Sequence, residues 1–339
     1  MDAIVVVPSN RPTELAKFLN KWQGQIERSK VNVKVFIVED GPVVTNLEEL
    51  VDKTFLAQRV THFCWEDIDT DLGEHNWIIP RRTDCVRSYG FLKAYKERPY
   101  CIISMDDDCY PNSIADFFAA HMENLTVLAV DNAWRSTLGA GAVPRGVPYH
   151  GIARTNQCVV NHGLWTNIAD LDAVGQLSSD RHGAKVHLRK QVIPRGSYFP
   201  MCGMNVAFNV GVTPAMYQLL MGPKYPYDRF GDIWSGTIMK KICDHLGYAV
   251  RSGDPMVHHD RKSNVWANLR KEAPGMEINE IFWKVIDSKI LVSKTFASCY
   301  KEIADHVMTC DYESVEANGY FSQLGIAMRR WASFFEEQA

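Results

Sequence analysis

The sequence predicts an α/β protein with a central, mainly parallel sheet and a helical C-terminal segment. Three observations support this fold class. Over roughly the first 130 residues, continuous apolar runs alternate with amphipathic segments, as in sheets whose strands are buried on both faces. Two of these runs end in acidic residues, in "VEDG" and "MDDDC". After about Asn264 the pattern becomes mainly helical.

The elements can be predicted in chain order. Strands are expected at Ala3–Ser9, Val33–Gly41, Val60–Trp65, Tyr100–Met105 and Tyr198–Phe208, and helices at Pro12–Trp22, Arg82–Lys96 and Asp232–Gly247. Thr13 is expected to cap the first of these helices, and Gly247 to end the last. The segment from about Leu138 to Gly211 is rich in Gly, Pro and aromatic residues and is expected to form long loops. We expect one domain over residues 1–265 and a helical extension over 266–339.

Composition excludes several classes of protein. The chain has 339 residues, 46% of them hydrophobic and 23% charged, with a formal charge of −3 that argues against a nucleic-acid partner. The apolar runs are far shorter than the roughly 20 residues that cross a bilayer, and the N-terminus lacks a signal-peptide pattern. Nine scattered cysteines without a CxxC pair suit a reducing compartment. We therefore expect a soluble, cytoplasmic protein without a membrane partner.

Three aspartates, Asp106 to Asp108, follow the fourth predicted strand. Carboxylates at the end of a buried strand suit Mg²⁺ or Mn²⁺, which prefer oxygen ligands and leave positions open for phosphate oxygens. The alternative is an acidic turn that caps a helix beginning near Asn112. Asp40 and Gly41 end a second strand, where Asp40 would accept hydrogen bonds from a uracil or ribose, or simply begin a turn.

Basic residues and histidines offer further candidates. His258 and His259 follow a probable strand, where an imidazole suits a metal, although paired histidines are more often surface or supporting residues. The next cations, Arg261 and Lys262, are placed to meet phosphates. Arg145 lies between prolines in "VPRGVP" and is expected on a stiff turn, either gripping a diphosphate or simply exposed.

A glycine-rich region concentrates His162, Trp165, Cys202, Gly203 and Asn205. Glycine lets the backbone approach a ligand and Trp offers a face to a sugar ring, but core and turn roles fit equally well. A nucleophilic role for Cys202 is not favoured, because no His or Asp stands at a suitable spacing.

At the start of the predicted helix "DIWSGTIMKKICDHLG", Arg229 and Asp232 are two further candidates. In the simplest case, Asp232 caps the helix. If the helix end faces the crevice at the carboxyl ends of the strands, Asp232 would instead contact sugar hydroxyls or act as a base.

Taken together, these motifs resemble one family, the reversibly glycosylated polypeptides of plants, also known as UDP-arabinopyranose mutases. The resemblance covers roughly residues 3 to 285 and rests on "VVVPSNR", "VEDG", "VRSYGF", "MDDDCY", "RGVPY", "NHGLWTNIADLDA", "FPMCGMNVAF", "PAMYQLLMG", "YDRFGDIWSG", "KKICDHLG" and "HDRKSN".

The resemblance implies a GT-A-like glycosyltransferase fold, a UDP-sugar substrate and a divalent metal. It assigns Asp106, Asp108 and His259 to the metal, with Arg145, Asp232 and His162 as catalytic residues. The nucleotide-sugar contacts it implies are Pro8, Arg11, Asp40, Gly41, Arg87, Asp106, Asp107, Trp165, Cys202, Gly203, Asn205 and Arg229. Within the aspartate triplet, Asp107 is expected to point away from its neighbours and to give local support.

The implied activity is the interconversion of UDP-L-arabinopyranose and UDP-L-arabinofuranose. Arg145 matches the arginine that becomes glycosylated in the family. Because a guanidinium stays protonated, we expect Arg145 mainly to hold the diphosphate or stabilise charge. Family members also associate, so a homo- or hetero-oligomer is plausible.

The sequence departs from the family at three places. Gly231 and Asp232 stand where plant members have paired aspartates, "STLGAGAVP" lacks the family's charged residues, and the acidic position near Arg82 to Asp84 is shifted. Two alternatives to a mutase therefore stay open: a glycosyltransferase that passes a pentose or hexose from UDP to an acceptor, and a non-catalytic UDP-sugar-binding subunit.

Overall fold

The computed structural model describes residues 1–132, 145–147, 153–178, 191–261 and 264–336. The strands are β1 (Asp2–Ser9), β2 (Asn32–Glu39), β3 (Val60–Phe63), β4 (Cys101–Met105), β5 (Cys109–Pro111), β6 (Leu128–Asn132), β7 (Ala153–Asn167), β8 (Gln191–Val192), β9 (Asn205–Asn209) and β10 (Ala249–His259). The α-helices are α1 (Pro12–Arg28), α2 (Lys53–Arg59), α3 (Trp65–Leu72), α4 (Arg87–Lys96), α5 (Phe117–Thr126), α6 (Ala173–Ser178), α7 (Gly231–Leu246), α8 (Val265–Ser288), α9 (Phe296–Thr309) and α10 (Val315–Ser333).

One sheet organises the strands in the order β3-β2-β1-β4-β9-β7-β10-β5, with β6 on β7 and β8 on β10. The first four strands in this order are parallel, as predicted, and β7 is parallel to β10. The sequence analysis did not anticipate the orientation of β9, which is antiparallel to both β4 and β7. The α/β class and the helical C-terminal segment are confirmed.

The alternation of side chains along β1 divides the apolar residues between the two faces of the sheet. Ile4 and Val6 join the core that includes α4, while Val5 and Val7 join the core that includes α1. Gly90 lets α4 lie directly on the strands, because a Cβ there would come within 2.5 Å of Val6 Cγ1. The close packing on both faces fixes the carboxyl ends of β1, β2 and β4 at one edge of the sheet.

Some predicted boundaries are wrong. Helix α1 extends to Arg28 and has no side-chain cap, so Thr13 is not its N-cap. Helix α4 begins at Arg87, after a 3-10 turn over Asp84–Val86 that Thr83 caps.

The predicted strand Tyr198–Phe208 is reduced to Asn205–Asn209. Proline 200 is one reason, since it has no N–H to contribute to a sheet. Helix α7 ends as predicted, with Gly247 in the left-handed region at φ 80°.

The C-terminal helices pack onto the same core as α4. Trp331 stacks on Tyr217 with ring centroids 5.3 Å apart, and its indole N–H donates to the Pro214 carbonyl. Tyr320 donates to the Leu220 carbonyl at 2.7 Å. The expected boundary between residues 265 and 266 stays a prediction.

No helix in the described part of the chain is both long and apolar enough to cross a membrane. All nine cysteines are free. The cytoplasmic location stays a prediction.

Candidate active site at the carboxyl end of the sheet

The three aspartates that follow β4 differ in their contacts. Asp106 accepts a hydrogen bond from Arg87 Nη2 at 2.6 Å. Asp107 is buried, accepts from Ser9 Oγ at 2.6 Å, and is ion-paired with Arg11. Asp108 lies 3.4 Å from Arg11 Nη2 and has no closer cation among the described residues.

The alternative of an acidic helix cap is wrong. Strand β5 follows the triplet directly, and the next helix, α5, begins at Phe117 with Asp116 as its cap. The triplet therefore lies between two strands, at the edge of the sheet.

His259 ends β10 beside Asp108, with its Nε2 4.0 Å from Asp108 Oδ1. Its Nδ1 lies 3.0 Å from the carbonyl oxygen of Ile168. Because a carbonyl only accepts, Nδ1 carries a proton, and Nε2 is the ring nitrogen that faces Asp108. Metal-binding histidines commonly have this arrangement, in which the second nitrogen donates to a carbonyl.

The donor set formed by Asp108 and His259 fits Mn²⁺ or Mg²⁺ with few protein ligands. Burial raises the pKa of Asp108 to about 6, and the negative charge of Asp106 adds to the effect. A cation at this place would relieve both penalties. No group of three or more His, Cys, Asp or Glu residues within the described ranges forms a metal cage. Mg²⁺ is often held by one or two carboxylates and completed by substrate phosphates.

Arg87 organises the floor of the crevice from inside the protein. Its side chain is 1% exposed, and all five of its N–H groups have acceptors. Nε donates to the Asp84 carbonyl, Nη1 to Ser104 Oγ and the Gly203 carbonyl, and Nη2 to Asp84 and Asp106. Burial alone would raise the pKa of Asp106, but the positive charge of Arg87 outweighs burial and lowers it. Arg87 thus positions Asp106, with no donor left for a nucleotide phosphate.

Asp232 faces the same crevice from the first turn of α7. The helix N-cap is Phe230, so the alternative of Asp232 as a cap is wrong. Instead, Asp232 Oδ2 accepts the Gly203 N–H at 2.9 Å. Burial, together with the negative charge of Asp84, raises the pKa of Asp232 to about 7. This carboxyl can therefore gain or lose a proton near neutral pH.

Gly203 has no room for a side chain. A Cβ at this position would lie 2.7 Å from Arg87 Nη1. The glycine therefore permits the backbone contact that ties the segment before β9 to both Arg87 and Asp232.

His162 and Trp165, on β7, bring two buried N–H donors near one another. His162 Nε2 accepts the Cys202 N–H at 3.2 Å, so the proton lies on Nδ1, which has no partner. Trp165 Nε1 also has no partner, and the two ring centroids are 5.9 Å apart. Burial lowers the pKa of His162 to about 4, so the ring stays neutral. Burial raises the pKa of the Cys202 thiol well above its usual value, which agrees with the inference that it is not a nucleophile.

The end of β2 forms a separate part of the same edge. Asp40 Oδ1 accepts both the indole N–H of Trp65 and the backbone N–H of Arg82, each at 2.8 Å. The Gly41 carbonyl accepts the Trp65 N–H at 2.9 Å. Pro8 is buried within β1, next to this edge.

Two predicted nucleotide contacts have hydrogen-bond partners within the protein. Asn205 is 1% exposed, accepts from His121 Nε2, and donates to the carbonyls of Leu164 and Pro255. Arg229 Nε donates to Glu272 Oε1 at 2.9 Å. Their structural role is clear from these contacts, and their contact with a nucleotide stays a prediction.

Four further residues were singled out in the sequence: Arg145, Arg261, His258 and Lys262. Arg145 is exposed on a turn followed by Gly146 at φ 93°, and its role stays a prediction. Arg261 Nη1 is 3.2 Å from Asp170 Oδ1, so this arginine is already paired. His258 is half-buried on β10, and Lys262 lies outside the described residues.

Asp84 and Asp170 are site residues that the sequence analysis did not select. Asp84 was noted only as a shifted acidic position, yet it pairs with Arg87 and raises the pKa of Asp232. Asp170 contributes to the raised pKa values of Cys202 and Asp232. The spacing Asp84-x-x-Arg87, typical of an i, i+3 ion pair, was the available signal for the first.

Comparison with known proteins assigns the chain to a family. A family model described as "Reversibly glycosylated polypeptide" matches residues 1–339. The chain belongs to this family.

Its curated relatives carry the names of enzymes, which confirms the prediction of an enzyme family. The chain is 33% identical to UDP-arabinopyranose mutase 1 of Arabidopsis thaliana, with 98% of this chain and 92% of the relative covered. It is 31% identical to Probable UDP-arabinopyranose mutase 4 of the same plant, with 99% and 91% covered. To UDP-arabinopyranose mutase 1 of Oryza sativa subsp. japonica it is 30% identical, with 98% and 90% covered.

The solved structures that resemble the chain are more distant. S. aureus TarS 1-349 in complex with UDP has a TM-score of 0.42 at 10% identity, with 100% of this chain and 74% of that one covered. The mannosyltransferase PcManGT from Pyrobaculum calidifontis, in complex with GDP-Man and Mn²⁺, has a TM-score of 0.41 at 11% identity, with 98% and 72% covered. Likeness at this level supports no conclusion about activity. The GT-A-like fold agrees with the parallel block of β3, β2, β1 and β4 and the acidic end of β4.

Proposed function

We propose that the protein is a metal-dependent UDP-sugar enzyme that interconverts UDP-L-arabinopyranose and UDP-L-arabinofuranose. The observation that carries the proposal is the pair formed by Asp108 and His259, with His259 Nδ1 on the Ile168 carbonyl and Nε2 facing the carboxylate. Membership in a family whose curated relatives are named UDP-arabinopyranose mutases supports the choice of substrate.

Asp108 and His259 are the residues that would hold Mn²⁺ or Mg²⁺. A bound divalent cation would stabilise the negative charge that develops on the departing UDP. Arg87 keeps Asp106 in place beside this pair, and Arg11 does the same for Asp107. Ser104 and Gly203 complete the fixed floor on which the sugar would lie.

The chemistry of ring contraction suits Asp232. The anomeric bond to UDP breaks and re-forms, and the ring oxygen changes from O5 to O4. One proton therefore leaves the 4-hydroxyl and one arrives at O5. A carboxyl with a pKa of about 7 can accept the first proton and return the second. The unpaired Nδ1–H of His162 is a candidate donor to a sugar oxygen.

Incubation with UDP-L-arabinofuranose and Mn²⁺, without an acceptor, tests this proposal. Chromatography should separate the two UDP-arabinoses and show interconversion to an equilibrium from either side. Slow hydrolysis to UDP and free arabinose, with no exchange of ring form, would contradict it.

A second candidate is a glycosyltransferase, and Asp232 also favours it. A carboxylate at the start of α7 with a raised pKa can accept the proton of an attacking acceptor hydroxyl. Adding candidate acceptors to the same assay distinguishes the two activities, because a transferase releases UDP in proportion to acceptor and a mutase does not. Nucleotide binding without turnover under any metal would instead indicate a binding subunit.

A further inference from the structure

A cleft of about 320 Å³ lies beside the candidate active site and takes no part in the proposed reaction. Three half-buried aromatic side chains line it, those of Trp65, Trp77 and Tyr225. They come from α3, from the 3-10 helix Gly73–Ile78 and from the loop before α7. Aromatic side chains from three separate elements thus line one cleft, while each also packs against the core beneath it.

The polar side chains of this aromatic cleft are held in place by hydrogen bonds to one another. Asp69 Oδ1 accepts from Asn76 Nδ2 at 2.6 Å and from Arg81 Nη2 at 2.8 Å. The guanidinium of Arg81 also lies over the ring of Trp65, 5.6 Å from its centroid. An amide, a carboxylate and a guanidinium are thus held in one array, with hydrogen-bonding capacity left over.

Lys224 adds a charge that the surrounding protein does not neutralise. Its side chain lines the cleft, is exposed, and forms no ion pair with a described residue. Asp69, the acidic group of the cleft, is already paired with Arg81. The lining therefore carries one spare positive charge.

We propose that this aromatic cleft is a second binding site and that its ligand is a saccharide. Aromatic faces pack against the C–H face of a sugar ring, and fixed planar polar groups bind its hydroxyls. The volume suits a mono- or disaccharide, since small-molecule sites begin at about 300 Å³. The spare charge of Lys224 favours a sugar that carries a carboxylate.

The aromatic cleft adjoins the predicted nucleotide pocket through one shared wall. Trp65 lines the cleft with its ring and donates its indole N–H to Asp40. Arg81 lines the cleft, while the backbone N–H of the next residue, Arg82, also donates to Asp40. A saccharide bound here would lie beside the nucleotide, in its own site, and UDP should not compete with it.

Saturation-transfer NMR on the full-length protein tests the proposal with four free sugars: L-arabinose, D-galactose, D-glucuronate and cellobiose. We expect at least one to bind saturably in the millimolar range, and UDP not to displace it. The variant Trp77→Ala should weaken saccharide binding about tenfold, which corresponds to about 1.4 kcal/mol. The variant Asn76→Ala should weaken it several-fold. Lys224→Ala should weaken only D-glucuronate.

The matched control is Trp283→Ala, because Trp283 is a surface tryptophan on α8 and lies outside the cleft. It should leave binding unchanged. Because Trp77 is partly buried in the core, Asn76→Ala keeps the test valid if Trp77→Ala fails to fold. The proposal is overturned if none of the four sugars binds, if Asn76→Ala binds them as the wild type does, or if UDP displaces them. No outcome depends on turnover, so failure here leaves the proposed activity standing.

Discussion

Two polar regions of the molecule lie close together and differ in how far their bonding capacity is used. The buried amide network beneath the crevice consists of His121, Asn161 and Asn205. His121 Nε2 donates to Asn205, and its Nδ1 accepts from Asn161. Each ring nitrogen therefore has a partner, and the region is neutral.

The crevice above this network is charged, and several of its polar groups lack a hydrogen-bond partner among the described residues. His259 Nε2 is 4.0 Å from Asp108 Oδ1, beyond hydrogen-bond distance, and His162 Nδ1 has no partner. Burial holds the pKa values of Asp108 and Asp232 well above those of ordinary aspartates. A saturated network fixes geometry, whereas groups with raised pKa values and unused bonding capacity are free to act on a ligand.

The largest expected effect comes from removing a crevice carboxylate whose bonding capacity the described residues leave mostly unused. Asp108→Asn should lower turnover of UDP-arabinose by about 10³-fold, because a charged group aimed at the leaving diphosphate is lost. The thermal unfolding midpoint should change little, since no strong protein contact is broken. Asp107→Asn is the control, because Asp107 is paired with Ser9 and Arg11. The opposite result, a loss of about 10³-fold in Asp107→Asn with little loss in Asp108→Asn, would contradict the comparison.

The opposite result is expected in the amide network. Asn205→Ala should lower the free energy of unfolding by about 3 kcal/mol, because it leaves His121 Nε2 without its acceptor and removes a donor from two buried carbonyl groups. Urea denaturation at pH 7 measures the loss. Turnover by the folded fraction should fall far less than in Asp108→Asn. A stable Asn205→Ala protein with no activity would indicate that Asn205 contacts the substrate.

The amide network also predicts a dependence of stability on pH. Burial lowers the pKa of His121 from 6.5 to about 3, and the neighbouring His162 adds to the effect. Between these values the unfolded chain binds a proton that the folded chain does not, so stability rises with pH and is lost as pH falls. From pH 7 to pH 5 the contribution of His121 should cost about 2 kcal/mol.

Comparing the wild type with His121→Gln isolates this contribution, because glutamine keeps an amide donor and acceptor but does not titrate. Urea denaturation at pH 7, 6 and 5 should give a smaller loss for the variant. Parallel losses in the two proteins would show that other groups cause the acid sensitivity.

The smallest expected effect is in the pH profile of turnover. If Asp232 acts as a base with a pKa of about 7, activity should rise about fivefold from pH 6 to pH 7 and only about twofold more above pH 7. Asp232→Asn should remove this rise along with most of the activity. A wild-type profile that is flat from pH 5.5 to pH 8 would argue against the assignment.

The difference between the two regions also explains what could be predicted from sequence. Strand ends such as "MDDDC" can be recognised in the sequence, because an apolar run and the polar residues that end it are neighbours in the chain. The opposite orientations of Asp106 and Asp107 follow from strand alternation and agree with their partners, Arg87 and Ser9.

Contacts between distant segments could not be predicted. The resemblance implies that Arg87 contacts the nucleotide sugar, and only the fold shows that Ser104 and Gly203 use its donors. The antiparallel placement of β9 depends on long-range pairing with β4 and β7, which leaves no local pattern. The same holds for the carbonyl of Ile168 that sets the tautomer of His259.

The measurement that tests the central claim most directly is Mn²⁺ binding in the presence of UDP, followed by electron paramagnetic resonance of the free ion. The wild type should bind Mn²⁺, and Asp108→Asn and His259→Ala should each weaken binding at least about tenfold, as losing a metal ligand requires. Asp107→Asn should retain most of the affinity. Unchanged Mn²⁺ binding in both Asp108→Asn and His259→Ala would contradict the assignment of these two residues as the metal site.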